Sequence, residues 1–202
     1  MEGYLAKSLP AFATERRTGG EQFSLGGEPA RSTLLDFWQW ASSDLLGNTE
    51  RGILAEYIVA LALGVTSGVR AGWLPYDLDT ADGLKVEVKS SAYVQTWLQQ
   101  RPSRISFGIR PTYAWDPVTD TFEEERRRQA DVYVFCVLTT KDQTTIDPLD
   151  LDQWEFHVVP TSELDERVGS QKTISLPSLE NMGFQPVGFA GLADAVAVAG
   201  TG

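Results

Sequence analysis

The chain has 202 residues, 42% hydrophobic and 22% charged, which suits one soluble globular domain with a substantial core. A single cysteine, Cys136, excludes an internal disulfide, and a single histidine, His157, leaves zinc short of its usual ligands; histidine triads, cysteine–histidine pairs and zinc hydrolysis all lack parts. A formal charge of −11 opposes nonspecific adhesion to nucleic acid or anionic membrane, though phosphate can still be held by a local basic cleft.

Residues 1–30 are rich in Gly, Ser and Glu without a period and read as an irregular N-terminal arm. A single domain over 31–188 and a small-residue C-terminal tail over 189–202 are expected to follow. The opening MEGYLAKSLPAF lacks the basic and apolar regions of a signal peptide, and no apolar run reaches the roughly 20 residues of a membrane span, so a cytoplasmic protein is expected. Residues 32–46 show helical spacing, opened by Thr33 and Asp36 in capping-box separation. A second helix is expected over 51–64, with Asn48 or Thr49 as its cap and Gly64 as its stop. Strands over 70–80 and 84–90 flank Ala81-Asp82-Gly83. A helix over 90–100, capped by serine, and a strand over 104–110 come next.

The connection 111–129 carries Glu123/Arg127 and Glu124/Arg128 at i,i+4, which suggests an exposed helical turn. ADVYVFCVL (130–138) is continuously apolar, the pattern of a sheet centre covered on both sides. WEFHVVP (154–160) alternates like a strand, 161–168 fits a short helix, and the end of the chain fits a weak helix or a mobile tail. Together these elements predict an α/β protein. Its central mixed sheet takes in 71–79, 84–90, 104–110 and 130–138, with helix 51–64 against one face.

Charge inside the strand pair is the unusual feature. A three-residue hairpin loop ending in an αL glycine pairs Leu78 with Val86 and Asp77 with Glu87, and period 2 puts Lys89 on the face of Glu87. Two carboxylates opposed across a ladder repel unless a cation lies between them. A two-residue loop would instead turn the aspartates away from Glu87, so the cluster depends on the register. Glu56 is the only charged residue between Ile53 and Gly64, in a helix apolar on nearly every side. Either it faces a cation or it lies on a narrow wet stripe with Arg51 or another arginine beside it.

Glu on the first core helix, then Asp, then Glu-X-Lys on a hairpin, followed by a helix and an apolar strand, resembles the PD-(D/E)XK nuclease superfamily across roughly residues 50–138. The resemblance implies a restriction-endonuclease-like αβββαβ core, a central mixed sheet flanked by helices. It gives Asp77 the place of the Asp of PD, Glu87 and Lys89 that of E-X-K, and Glu56 that of the helix carboxylate. Gln95 resembles the glutamine that some branches carry on the next helix, and reads equally as an exposed amide. The chain departs from the pattern in having Tyr76 before Asp77, with Pro75 one earlier. Asp79 remains an alternative to Asp77.

The implied chemistry is Mg²⁺-dependent hydrolysis of phosphodiesters in nucleic acid, with DNA the expected substrate and Mn²⁺ able to substitute. Asp77, Glu87, Glu56 and the Val88 carbonyl are the metal ligands, and Lys89 acts on the nucleophile or on the developing charge. Arg101, Arg104 and Arg110 are candidate phosphate contacts, and Tyr93 or Trp97 could stack on a base. Restriction, repair and defence are the roles such a nuclease fills, alone, as a homodimer or with a partner subunit. The competing readings are a non-catalytic nucleic-acid- or protein-binding module on the same fold, and a carboxylate-pair glycosidase that leaves Lys89 unexplained.

Overall fold

The computed structural model describes residues 12–116 and 119–201; positions 1–11 of the expected arm lie outside the described residues. In chain order, the hairpin β1 (Gln22–Leu25) and β2 (Glu28–Thr33) leads into helices α1 (Leu34–Ser42) and α2 (Asn48–Leu63). Strands β3 (Leu78–Asp79), β4 (Lys85–Ala92), β5 (Ser106–Gly108), β6 (Trp115–Asp116), β7 (Thr121–Phe122) and β8 (Val132–Leu138) follow. The chain then forms β9 (Trp154–Pro160), α3 (Thr161–Val168), β10 (Thr173–Ser175), α4 (Leu176–Asn181) and α5 (Leu192–Ala199).

The protein is a mixed α/β structure built on a four-stranded sheet of order β3-β4-β8-β9. β4 and β8 run parallel, and the other two pairings are antiparallel. Every residue of β8 is buried, as its unbroken apolar run requires of a strand covered on both faces. On one face Val86, Val88, Val134 and Cys136 pack against Ala55, Ile58 and Val59 of α2 and Leu192 and Val196 of α5. On the other, Tyr133, Phe135 and Val159 meet Phe107 of β5, Leu164 of α3, Ile174 of β10 and Leu179 of α4. Helices therefore flank the sheet on both sides.

Local signals account for several boundaries. Thr33 and Asp36 form the expected capping box, with the Thr33 N–H donating to Asp36 at 2.6 Å and the Asp36 N–H to the Thr33 hydroxyl at 3.3 Å. α2 ends where Gly64 turns to φ +71°, a conformation that glycine adopts without strain. Its start differs from expectation: Gly47 is the cap, and Asn48 already lies inside the helix.

Other expectations need correction. Residues 104–110 do not join the central sheet; β5 pairs with β10 in a separate ribbon, with Ile105, Phe107 and Ile109 turned onto the core and Arg104, Ser106, Gly108 and Arg110 outward. That alternation belongs to a covering strand. Only 78–79 of the expected strand 70–80 is extended. No helix forms over 90–100, because Ser90, Ser91 and Ala92 continue β4 in parallel register with Cys136, Val137 and Leu138. Beyond them the chain is irregular, with Val94 buried and Trp97 and Leu98 exposed.

Glu123 and Arg127 do pair, at 2.8 Å, but outside any helix, since Arg127 bridges to Thr112 in extended geometry. Arg128 does not pair with Glu124. Its buried guanidinium donates to the Ile109 carbonyl at 3.0 Å, to the Gly169 carbonyl at 2.8 Å and to Asp165. Residues 22–33 form a hairpin that begins within the stretch 1–30 read as irregular, and α5 buries Leu192 and Val196 within the stretch read as a weak helix or mobile tail. Among the described residues no helix is long and apolar enough to cross a membrane.

Candidate active site

The hairpin takes the three-residue loop. Leu78 pairs with Val86 and Asp79 with Lys85, the Thr80 N–H donates to the Leu84 carbonyl at 2.9 Å, and Gly83 sits at φ +85°. β3 then stops, and Asp77 completes the edge with its side chain. Its backbone N–H donates to the Val86 carbonyl at 3.1 Å, while its Oδ2 accepts the Val88 N–H at 2.7 Å. Because a strand residue directs its N–H and C=O to the same edge, the Val88 carbonyl lies on this edge too.

Across the sheet, Glu87 lies in register with Tyr133 and Val159, and Lys89 with Phe135 and His157. Glu87 and Lys89 thus share one face and form an ion pair, their side chains 16% and 33% exposed. Asp77 is pushed up to about 6, first by burial and then by the Glu87 charge, with Glu56 adding to the rise and the Val88 N–H and Lys89 opposing it. Two desolvated carboxylates therefore compete for positive charge at an open sheet edge.

Glu56 approaches this edge from the opposite layer, since α2 covers the Val86 and Val88 face. Glu56 and Asp77 line one cleft, together with Asp79 and Arg70, whereas Glu87 and Lys89 are not part of its lining. The shortness of β3 brings Asp77 between the two groups. Arg70 clasps Glu56 with two nitrogens, Nη2 at 2.8 Å from Oε1 and Nε against Oε2. Glu56 thus has an arginine beside it, Arg70; Arg51 is turned elsewhere.

Gln95, Arg101, Arg104 and Arg110 form no part of the cleft lining beside Asp77. Gln95 is buried off any helix. It accepts from Arg51 Nη1 at 3.1 Å and donates to the Ala92 carbonyl at 2.9 Å and the Ser103 hydroxyl at 3.4 Å. Arg101, Arg104 and Arg110 are exposed, Arg104 and Arg110 flanking β5 on its outer face. Tyr93 carries Lys141 over its ring at 4.4 Å, and Trp97 is exposed. Asp79 is exposed opposite Lys85, a more solvated position than that of Asp77. His157 is buried with Nδ1 2.7 Å from the Phe184 carbonyl. Arg70 is the residue that sequence reasoning missed: it sits in the loop between α2 and β3, and no periodicity there says where it turns.

Among the described residues, no three side chains of Asp, Glu, His or Cys are gathered to hold a metal ion. The donors at the edge are two coupled carboxylates and a main-chain carbonyl, with Glu56 already neutralised by Arg70. That set fits Mg²⁺, which binds through one or two carboxylates and keeps several waters.

The raised Asp77 carboxyl makes a pH prediction. Between its ordinary value of 3.8 and about 6 the folded chain holds a proton that the unfolded chain has released, so stability falls as pH rises through this window. In chelator, Asp77→Asn is expected to melt at a higher temperature than wild type at pH 7, the gain disappearing as pH drops towards 4. A gain that does not change with pH would refute this account of the site.

The family model described as bacteriophage T4 endonuclease IV matches residues 33–177, well over half of the chain and including Glu56, Asp77, Glu87 and Lys89. No curated protein matches the chain.

Proposed function

The chain belongs to the bacteriophage T4 endonuclease IV family, and from that premise we propose that it hydrolyses phosphodiesters of DNA by Mg²⁺-dependent chemistry of the PD-(D/E)XK type. The observation that carries the proposal is the pair of desolvated carboxylates, Asp77 and Glu87, at an open sheet edge with Lys89 on Glu87. Asp77, Glu87 and the Val88 carbonyl would hold the ion, with Glu56, paired with Arg70, as a further donor. Bound there, Mg²⁺ or Mn²⁺ lowers the pKa of a water and offsets phosphate charge.

The rest of the work falls to the protein. The Val88 N–H fixes the Asp77 carboxylate in place. Lys89, held by Glu87, orients the attacking water or stabilises charge on the phosphate oxygens. Arg101, Arg104 and Arg110, all exposed, are candidate contacts to the DNA backbone. Gln95 has no part in this scheme, its amide being committed to Arg51, Ala92 and Ser103.

The fold reading behind the proposal is a restriction-endonuclease-like core within a domain over 31–188. The α2 helix, the β3–β4 hairpin and the parallel β4–β8 pair support it. Between β4 and β8, where that core carries a helix, the described elements are the strands β5, β6 and β7.

The purified protein is expected to cut or nick DNA with Mg²⁺ or Mn²⁺ and to stop in chelator. Since the net charge is −11, the assay belongs at low ionic strength, where phosphate contacts are least screened. Cleavage that continues without divalent metal would overturn the mechanism.

A further inference from the structure

We propose that the cleft beside Asp77 binds one nucleotide of the DNA strand with its base out of the stack; the proposal rests on the nuclease reading and supplies that reading with a substrate subsite. The cleft holds about 710 Å³, within the roughly 300–1,000 Å³ of small-ligand sites. Ile53 and Tyr57, one turn apart on α2, form part of its lining and are 43% and 52% exposed. Trp38 lines it as well. Gly19 packs on that indole at φ +91°, where an added Cβ would sit 3.0 Å from the ring. Residues 14–18 close another side, pinned by Arg16 Nη1 donating to the Thr66 carbonyl at 2.9 Å.

The charges of the lining select the occupant. Arg17 has no partner among the described residues, and Arg70 is bonded to Glu56. A purely apolar guest would leave Arg17 unmatched, whereas a nucleotide offers an aromatic body to Tyr57 and Trp38 and a phosphate to the guanidinium. Asp77 in the same lining sets this nucleotide next to the bond to be cut. The nucleotide can come from an unpaired strand or by eversion from a duplex; the contacts are the same.

The test uses the full-length protein in chelator, so that binding is read without cleavage. Fluorescein-labelled oligonucleotides, single-stranded and duplex, are titrated and followed by anisotropy. Tyr57→Ala is expected to weaken binding roughly 5-fold or more and Tyr57→Phe to restore it, as stacking requires. Arg17→Ala is expected to lower the slope of log affinity against log salt by about one. A Tyr57 effect confined to the single strand identifies an unpaired strand as the source; the same effect with duplex identifies eversion.

Both side chains are well exposed, so the variants should fold, and melting curves check this; were Tyr57→Ala to unfold, Arg17→Ala carries the test. Wild-type binding left undiminished by Tyr57→Ala and Arg17→Ala overturns the cleft alone. A wild type that binds neither form of DNA overturns the nuclease reading and the cleft with it.

Discussion

Lys89→Ala is expected to slow DNA cleavage by roughly 10²-fold or more while leaving the fold intact. The side chain projects from β4 beside Phe135, is one-third exposed and has Glu87 as its ion-pair partner, so little packing is lost with it. What is lost is the one lysine next to the coupled carboxylates. A cation that acts on charge developing at phosphorus should show its absence in kcat more than in KM, because it stabilises the transition state rather than the bound ground state. Single-turnover cleavage at saturating protein, with a melting curve for the variant, separates the two. Undiminished cleavage in Lys89→Ala would remove this residue from the chemistry and weaken the PD-(D/E)XK assignment.

Glu87→Gln is expected to abolish stabilisation by divalent metal. A ligand that binds only the folded state at about 100 times its Kd adds about 2.7 kcal/mol, a rise in Tm readily seen by thermal denaturation. In the wild type Mg²⁺ or Mn²⁺ should produce such a rise, since it offsets the burial and the Glu87 repulsion that together push Asp77 up to about 6. With Glu87 neutralised, one of the two coupled carboxylates is gone, and the rise should vanish. The same substitution should also lower the Asp77 carboxyl towards its ordinary range, since the Glu87 charge is one cause of its rise. A metal-dependent rise of unchanged size in Glu87→Gln would put the ion elsewhere, with Glu56 and Asp79 the next residues to replace.

The site was legible in the sequence as far as covalent spacing reaches. Loop length and glycine chemistry at Ala81-Asp82-Gly83 set the hairpin register, and the register set the face on which Glu87 and Lys89 stand together. The approach of Asp77 needed the structure, because its strand ends one residue too early and the carboxylate takes over the missing ladder bond to Val88. The surroundings of Gln95 needed the structure as well. Serines and helical spacing suggested a helix, but parallel pairing with β8 extended β4 through Ala92 and left Gln95 in irregular chain, bonded to Arg51.

What the sequence determined by itself is whatever short-range periodicity dictates: the capped α1, the apolar α2 with its glycine stop, the buried β8, the strand β9 and the parity of the hairpin. Tertiary structure alone decided that β5 leaves the central sheet to pair with β10, that Arg70 rather than Arg51 neutralises Glu56, and that residues 14–18 wall a cleft against α2. Residues three or four apart on a helix, or two apart on a strand, have their relative directions set by backbone geometry. Groups joined through long loops do not, and their meeting depends on which packing of the whole chain buries the most apolar surface while leaving each buried charge a partner.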